Sequence, residues 1–177
     1  MDAVLIRPLG PSDADACDRI VASLPYHFGV EQGRRDCATA VRSETGLVAV
    51  EDDEVVGFLT YVPRFDEAAE ITWMAVRDDR RRQGIGHRLI DRLTEFLRTD
   101  AKRVLIALTV SPNDPGSEPE DGYAATRAFY RSCGFVLARD LRAEWETDTA
   151  VVMVKPLLRA GDGVSRDASA RHANGRS

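Results

Sequence analysis

Apolar residues along this chain change spacing several times, and each change marks an element. Val4-Leu5-Ile6-Arg7-Pro8 is a short apolar run closed by proline and reads as a first strand. Ser12 or Asp13 offers an N-cap for a helix reaching about Leu24. Pro25-Tyr26-His27-Phe28-Gly29 breaks that helix, and a second helical stretch covers roughly residues 31–43. Strands are expected at 47–50 and 55–62, joined through the acidic run Glu51-Asp52-Asp53-Glu54. That run is a hairpin connection without the usual Asn-Gly or Asp-Gly pair. Residues 70–76, rich in β-formers, make another strand.

From Gly84 to about Thr99 the period becomes helical. Ile85, Leu89, Leu93, Phe96 and Leu97 recur at three- and four-residue spacings and form one apolar stripe. Val104 to Val110 is almost continuously apolar, which predicts a strand buried on both faces. Residues 111–122 hold prolines, glycines and acids with no period and read as a long loop. A helix from about Tyr123 to Cys133 stops at Gly134, and strands follow near 135–138 and 150–155. Past Pro156 the composition turns to Ser, Arg, Ala and Gly, so we expect one domain over 1–158 and a disordered tail over 159–177. The order β-α-α-β-β-β-α-β-α-β-β describes an α/β sheet, mostly antiparallel at first, with a strand–helix–strand crossover in its second half.

Composition narrows the function classes. A net charge of −5 argues against a general nucleic-acid binder, although it leaves room for a local basic pocket. Cys17, Cys37 and Cys133 are odd in number and lack Cys-x-x-Cys spacing, so a disulfide framework or a zinc knuckle is not expected. The first residues carry no basic region followed by a long apolar run, and nowhere do about 18 apolar residues run together. The expectation is a cytoplasmic protein without membrane or metal, with its oligomeric state open to a homodimer.

The chemistry concentrates after the strand at 70–76. A basic turn and the segment Arg81-Arg82-Gln83-Gly84-Ile85-Gly86 lead into the helix. Unpaired N–H groups at a helix N-terminus attract anions. Gly84 and Gly86 allow close backbone approach, and the arginines add charge-assisted donors. A Rossmann fingerprint does not fit, because Leu89 occupies the third glycine position. A Walker loop fails for want of Gly-Lys-Ser/Thr.

Arg81-x-x-Gly84-x-Gly86 resembles the Gln/Arg-x-x-Gly-x-Gly/Ala signature of the GNAT family of N-acetyltransferases. The segment from Ala124 to Phe135, with Phe129-Tyr130 before Gly134-Phe135, resembles the family's second motif. The resemblance covers roughly residues 4–156. It implies a mixed, mostly antiparallel central sheet flanked by helices, with a splayed strand pair holding acetyl-CoA as cosubstrate. It implies that main-chain groups of Met74, Ala75 and Val76 pair with the pantetheine arm. Arg81, Arg82, Gln83, Gly84, Ile85, Gly86 and His87 would hold the pyrophosphate. Tyr123 stands where members often carry a cofactor-contacting Asn, and is the one departure from that pattern.

An amine attacks a thioester only as the free base, and holding a lysine-like amine neutral at pH 7 costs about 4–5 kcal/mol. Glu70 matches the position used as base in histone-acetylating members, with His27 or Glu31 as substitutes from the variable helical region. Tyr130 matches the family's usual proton donor to the leaving thiolate. Tyr123, Arg127 and Tyr130 share one helix face that would look into the cleft. Cys133 reads as packing, His87 as a helix-surface residue, and Trp73 and Trp145 as core or acceptor-pocket residues. The resemblance implies direct acetyl transfer to a small-molecule primary amine. A protein or peptide amine and a non-catalytic acyl-CoA-binding module are the alternatives.

Overall fold

Leu5–Pro8 (β1) pairs antiparallel with Thr45–Glu51 (β2), and between them lie two helices, Ala14–Ala22 (α1) and Glu31–Ser43 (α2). The computed structural model describes residues 4–114, 122–141 and 149–157; the tail expected over 159–177, the middle of the 111–122 loop and Trp145 fall outside them. Of the two expected caps, Ser12 and Asp13, Asp13 stands at the N-cap position of α1, but its side chain ties the chain back to β1. Its carboxylate takes Arg7 Nη1 and Nη2 at 2.7 and 2.8 Å and the Gly10 N–H at 2.8 Å. The helix begins after a 3-10 turn at Pro11–Asp13 and ends at Ala22, short of Leu24.

β2 turns into Glu54–Phe65 (β3) at Asp52 and Asp53, whose φ angles of 49° and 62° are the left-handed pair of a tight hairpin. Aspartate tolerates that region because its short side chain bonds locally. This is why the hairpin forms without its usual glycine. β3 returns as Ala68–Val76 (β4), and helix Ile85–Thr99 (α3) crosses over to Val104–Val110 (β5), which runs parallel to β4. Gly122–Ser132 (α4), Val136–Leu141 (β6) and Ala150–Pro156 (β7) complete a seven-stranded sheet of order β1-β2-β3-β4-β5-β7-β6. The β4–β5 pair is parallel and the other neighbours are antiparallel. This is a mixed, mostly antiparallel α/β sheet flanked by helices, as expected.

Two cores lie on opposite faces. Ile85, Leu89, Ile90, Leu93 and Leu97 of α3 pack with Tyr130 and Phe135 against Leu59, Ile71, Leu105 and Met153. Cys17, Ile20 and Val21 of α1 and Cys37 and Val41 of α2 cover Val48, Phe58 and Ala75. The expected α3 stripe is shifted: Ile90 is buried, while Phe96 is 38% exposed under the Arg92 guanidinium, 4.5 Å from its ring centroid. β5 also departs from expectation. Leu105, Ala107 and Thr109 are buried, but Val104, Ile106 and Leu108 are only half-buried, because α1 and α2 cover β2 to β4 and stop short of β5.

Candidate active site

The site begins as a defect in the sheet. Thr60 faces Trp73 and the next β3 residue, Tyr61, faces Ile71, so Thr72 is an extra residue in β4. A bulge of this kind turns the strand over. Ala69 and Ile71 point into the α3–α4 core before it, and Met74 and Val76 do so after it, while Trp73 and Ala75 turn to the α1–α2 side. Pairing with β5 ends at Ile71↔Ala107, whereas β5 stays with β7 up to Val110. From Thr72 onward the two strands part. Among the described residues the β5 side of Thr72 to Val76 has no strand partner, which leaves an open slot edged by main-chain groups.

One end of the slot meets the basic turn. Arg77 is pinned to Asp79 and Glu54 at 2.7 and 2.9 Å, Arg80 to Glu51 at 2.6 Å, and Gln83 Nε2 to the Asp79 carbonyl at 3.2 Å. Arg82 has φ of 62° and Gly84 has φ of 80°, so the chain coils left-handed just before α3. The first intrahelical bond is Arg88 N–H to the Gly84 carbonyl at 3.1 Å, and among the described residues no side chain caps the helix. The N–H groups of Ile85, Gly86 and His87 therefore face outward without intrahelical acceptors. Arg81 and Arg82 are exposed beside them, with Asp78 3.8 Å from Arg81.

The phenol expected as proton donor lies on α4, within the core that α4 shares with α3. Tyr130 is 7% exposed, its ring 5.3 Å from Phe129 and 5.2 Å from Phe135. Burial, and secondarily Cys133, pushes its pKa well above that of an ordinary phenol, so the hydroxyl keeps its proton. Arg127, expected to line the cleft, is buried and donates to the Val110 carbonyl at 3.0 Å, which pins α4 to the end of β5.

Residues 42–137, more than half of the chain, match the family model described as an acetyltransferase (GNAT) domain. The chain belongs to the GNAT acetyltransferase family. A protein assigned to that family from Desulfovibrio desulfuricans superposes with a TM-score of 0.76 at 24% identity, covering 88% of this chain and 100% of its own. The ribosomal-protein-S18-alanine N-acetyltransferase from Escherichia coli gives 0.71 at 21%, covering 92% and 99%. The aminoglycoside 6'-N-acetyltransferase from Enterococcus faecium gives 0.68 at 19%, covering 89% and 99%. No curated protein matches the chain by sequence. These neighbours share the fold, and the last two are named for acceptors of different kinds, a ribosomal protein and an aminoglycoside.

Within this GNAT acetyltransferase the remaining candidates fall as follows. Tyr123, at the start of α4, packs against His27 and Tyr26, with ring centroids 5.7 and 6.3 Å apart, so the α1–α2 connection meets α4. Ser23 to His27, Asp78 and Arg81 line a cleft of about 440 Å³ there. Burial first and Arg81 second lower the His27 pKa, with Asp78 opposing, and its buried Nδ1 has no hydrogen-bond partner among the described residues. Glu31 points away into a helix-surface pair with Arg35. Glu70 is bound through both oxygens to Arg64, at 2.7 and 3.0 Å.

His87 does more than cover a helix surface: its Nε2 lies 2.8 Å from Ser132 Oγ and its ring 5.2 Å from Phe129, joining α3 to α4. Burial pushes the Cys133 thiol up to about 11, in keeping with packing. Trp73 packs on Phe28 at 5.9 Å on the α1–α2 side. Among the described residues no group of three or more His, Cys, Asp or Glu stands together as a metal site. No described helix is long and apolar enough to cross a membrane. Glu44 and Thr72 were not singled out from sequence. The one hint lay in β4, where apolar residues occupy both odd and even positions after Thr72.

Proposed function

We propose that this acetyltransferase uses acetyl-CoA as cosubstrate and moves the acetyl group directly to a primary amine of a small molecule. The observation that carries this is the parting of β4 from β5 at Thr72, with the uncapped start of α3 at one end of the slot. Three outward N–H groups, Arg81 and Arg82 suit a pyrophosphate. Met74, Ala75 and Val76 would receive the pantetheine arm as an added strand. Tyr123, at the start of α4, would contact the cofactor from beside His27.

Tyr130 would give its proton to the departing sulfur. Its raised pKa makes it a weaker acid but a reliable hydrogen-bond donor to a developing thiolate. Glu70 is the carboxylate at the position the resemblance gives to the base, and each of its oxygens accepts a bond from Arg64. The Tyr26–His27–Tyr123 ring contacts tie the α1–α2 connection to the start of α4, and we read the cleft lined by Ser23 to His27, Asp78 and Arg81 as suited to a compact acceptor. A peptide amine is the second reading, favoured by the half-exposed face of β5 around Ile106 and Leu108. Coenzyme A release measured over a panel of polyamines, aminoglycosides, amino alcohols and peptides with free N-termini tests the proposal. Turnover of peptides alone would replace the small-molecule reading.

A further inference from the structure

Thr72 is the bulge residue of β4 and the first past its last pair with β5. Its hydroxyl is a junction. Thr60 Oγ1, on a residue with 0% exposure, lies 2.7 Å away. Glu44, the residue that closes α2, accepts a hydrogen bond from Thr72 Oγ1. A carboxylate only accepts, so Thr72 gives its single proton to Glu44, and Thr60 must donate to Thr72. One lone pair of Thr72 Oγ1 remains. Thr72 and Glu44 are partly exposed, while Thr60 is sealed below, so a ligand reaches the junction from the Thr72–Glu44 side.

The position matters as much as the bonds. With pyrophosphate at the start of α3, a pantetheine arm running back along Val76, Ala75 and Met74 brings its thioester toward Thr72. Glu70 lies further along β4, beside a still-paired stretch of the sheet, and both its oxygens are engaged by Arg64. Glu44 has no salt-bridge contact within 4.0 Å among the described residues, although the Arg64 guanidinium also feels its charge from further off. Resting on the acyl-CoA reading above, we infer that Thr72 Oγ1 contacts the acceptor nitrogen and that Glu44, behind it, takes up the proton that nitrogen loses.

The neutral amine forms its bond to the thioester carbonyl carbon. Its proton passes to Thr72 Oγ1 as Thr72's own proton passes to Glu44. The carbon–sulfur bond breaks with its electron pair on sulfur, and Tyr130 protonates the thiolate. Solvent then returns a proton to Tyr130 and takes one from Glu44. The products are the amide and free coenzyme A. Thr72 is the contact residue and Glu44 a positioning residue that acts through it.

The test compares Glu44→Gln, Thr72→Val and Thr72→Ser with wild type, using the panel amine that wild type acetylates fastest. We expect Glu44→Gln and Thr72→Val each to lower kcat by about 30-fold or more, with KM for acetyl-CoA within about threefold. Thr72→Ser, which keeps the hydroxyl, should restore the rate. Slow hydrolysis of bound acetyl-CoA, with water in the amine's place, is a second readout that needs no acceptor and should fall in the same variants. Thermal melts establish that each variant is folded. A folded Glu44→Gln with wild-type kcat overturns the inference, as does a Thr72→Val loss confined to acetyl-CoA affinity. So does a large loss in Glu70→Gln with Glu44→Gln intact. Failure of wild type to bind acetyl-CoA would instead overturn the cofactor reading itself, and calorimetry detects that separately.

Discussion

The ring of Phe129 occupies the space a side chain on Gly86 would need: a Cβ there would stand 2.9 Å from its Cε2 and 3.0 Å from its Cζ. The glycines of the α3 start therefore do different work. Gly84 serves a left-handed turn, and Gly86 lets α3 and α4 approach closely.

For Gly86→Ala the neighbouring ring has little freedom, since His87 and Tyr130 flank it. Overpacking of this kind costs about 1–3 kcal/mol, partly offset by about 1 kcal/mol of gained helix propensity. We expect a net loss of stability in urea melts, recovered when Phe129→Leu is added. An unchanged urea midpoint in the single variant would show that the ring moves aside freely.

Gly84→Asp behaves oppositely. Among the described residues nothing lies within 4 Å of its would-be Cβ, and aspartate is among the residues that tolerate positive φ. The fold should survive, but a carboxylate would stand beside the outward N–H groups that are to hold phosphate. Calorimetry should show acetyl-CoA affinity reduced about 100-fold or more, the order of two lost charge-assisted hydrogen bonds. Undiminished binding in the folded variant would remove the cradle from this loop.

Tyr130→Phe should lower kcat by about 10- to 1,000-fold with acetyl-CoA binding kept. The pKa of Tyr130 is raised, so its protonated, proton-donating form persists until pH rises past the ordinary phenol range near 10. Wild-type kcat should accordingly show no falling limb from this group below about pH 10. A falling limb near pH 8 that vanishes in the phenylalanine variant would contradict that burial effect.

His27 links pH to stability. Its folded pKa is depressed by burial and by Arg81, so folding favours the neutral ring. The contribution is present above the unfolded value near 6.5 and is lost as pH falls through the lower folded value. The urea midpoint should drop between pH 7 and pH 5 more in wild type than in His27→Phe. Equal drops would mean that the imidazole titrates as it does in water.

Much of this was legible in local pattern. The strands and helices announced themselves by period, and the Arg81 to Gly86 segment by its glycines and arginines before a helical stripe. Both depend on neighbours in the chain, and such interactions are written in order along it. Phe96 and β5 were misread because a stripe or an apolar run records what is able to be buried, and not which helix arrives to cover it.

The sequence by itself determined the element order, the basic turn at the start of α3 and the phenol on α4, since each follows from backbone preference and residue chemistry within a few positions. Tertiary structure alone decided which groups meet. The β4 bulge at Thr72 comes from a register mismatch with β3, and the slot comes from β5 keeping to β7 after leaving β4. The pairing of Glu70 with Arg64, and of Glu44 with Thr72 28 residues away, follows from strands and a helix end brought side by side. No local pattern encodes such contacts, because the partner of a polar side chain is set by where the chain returns.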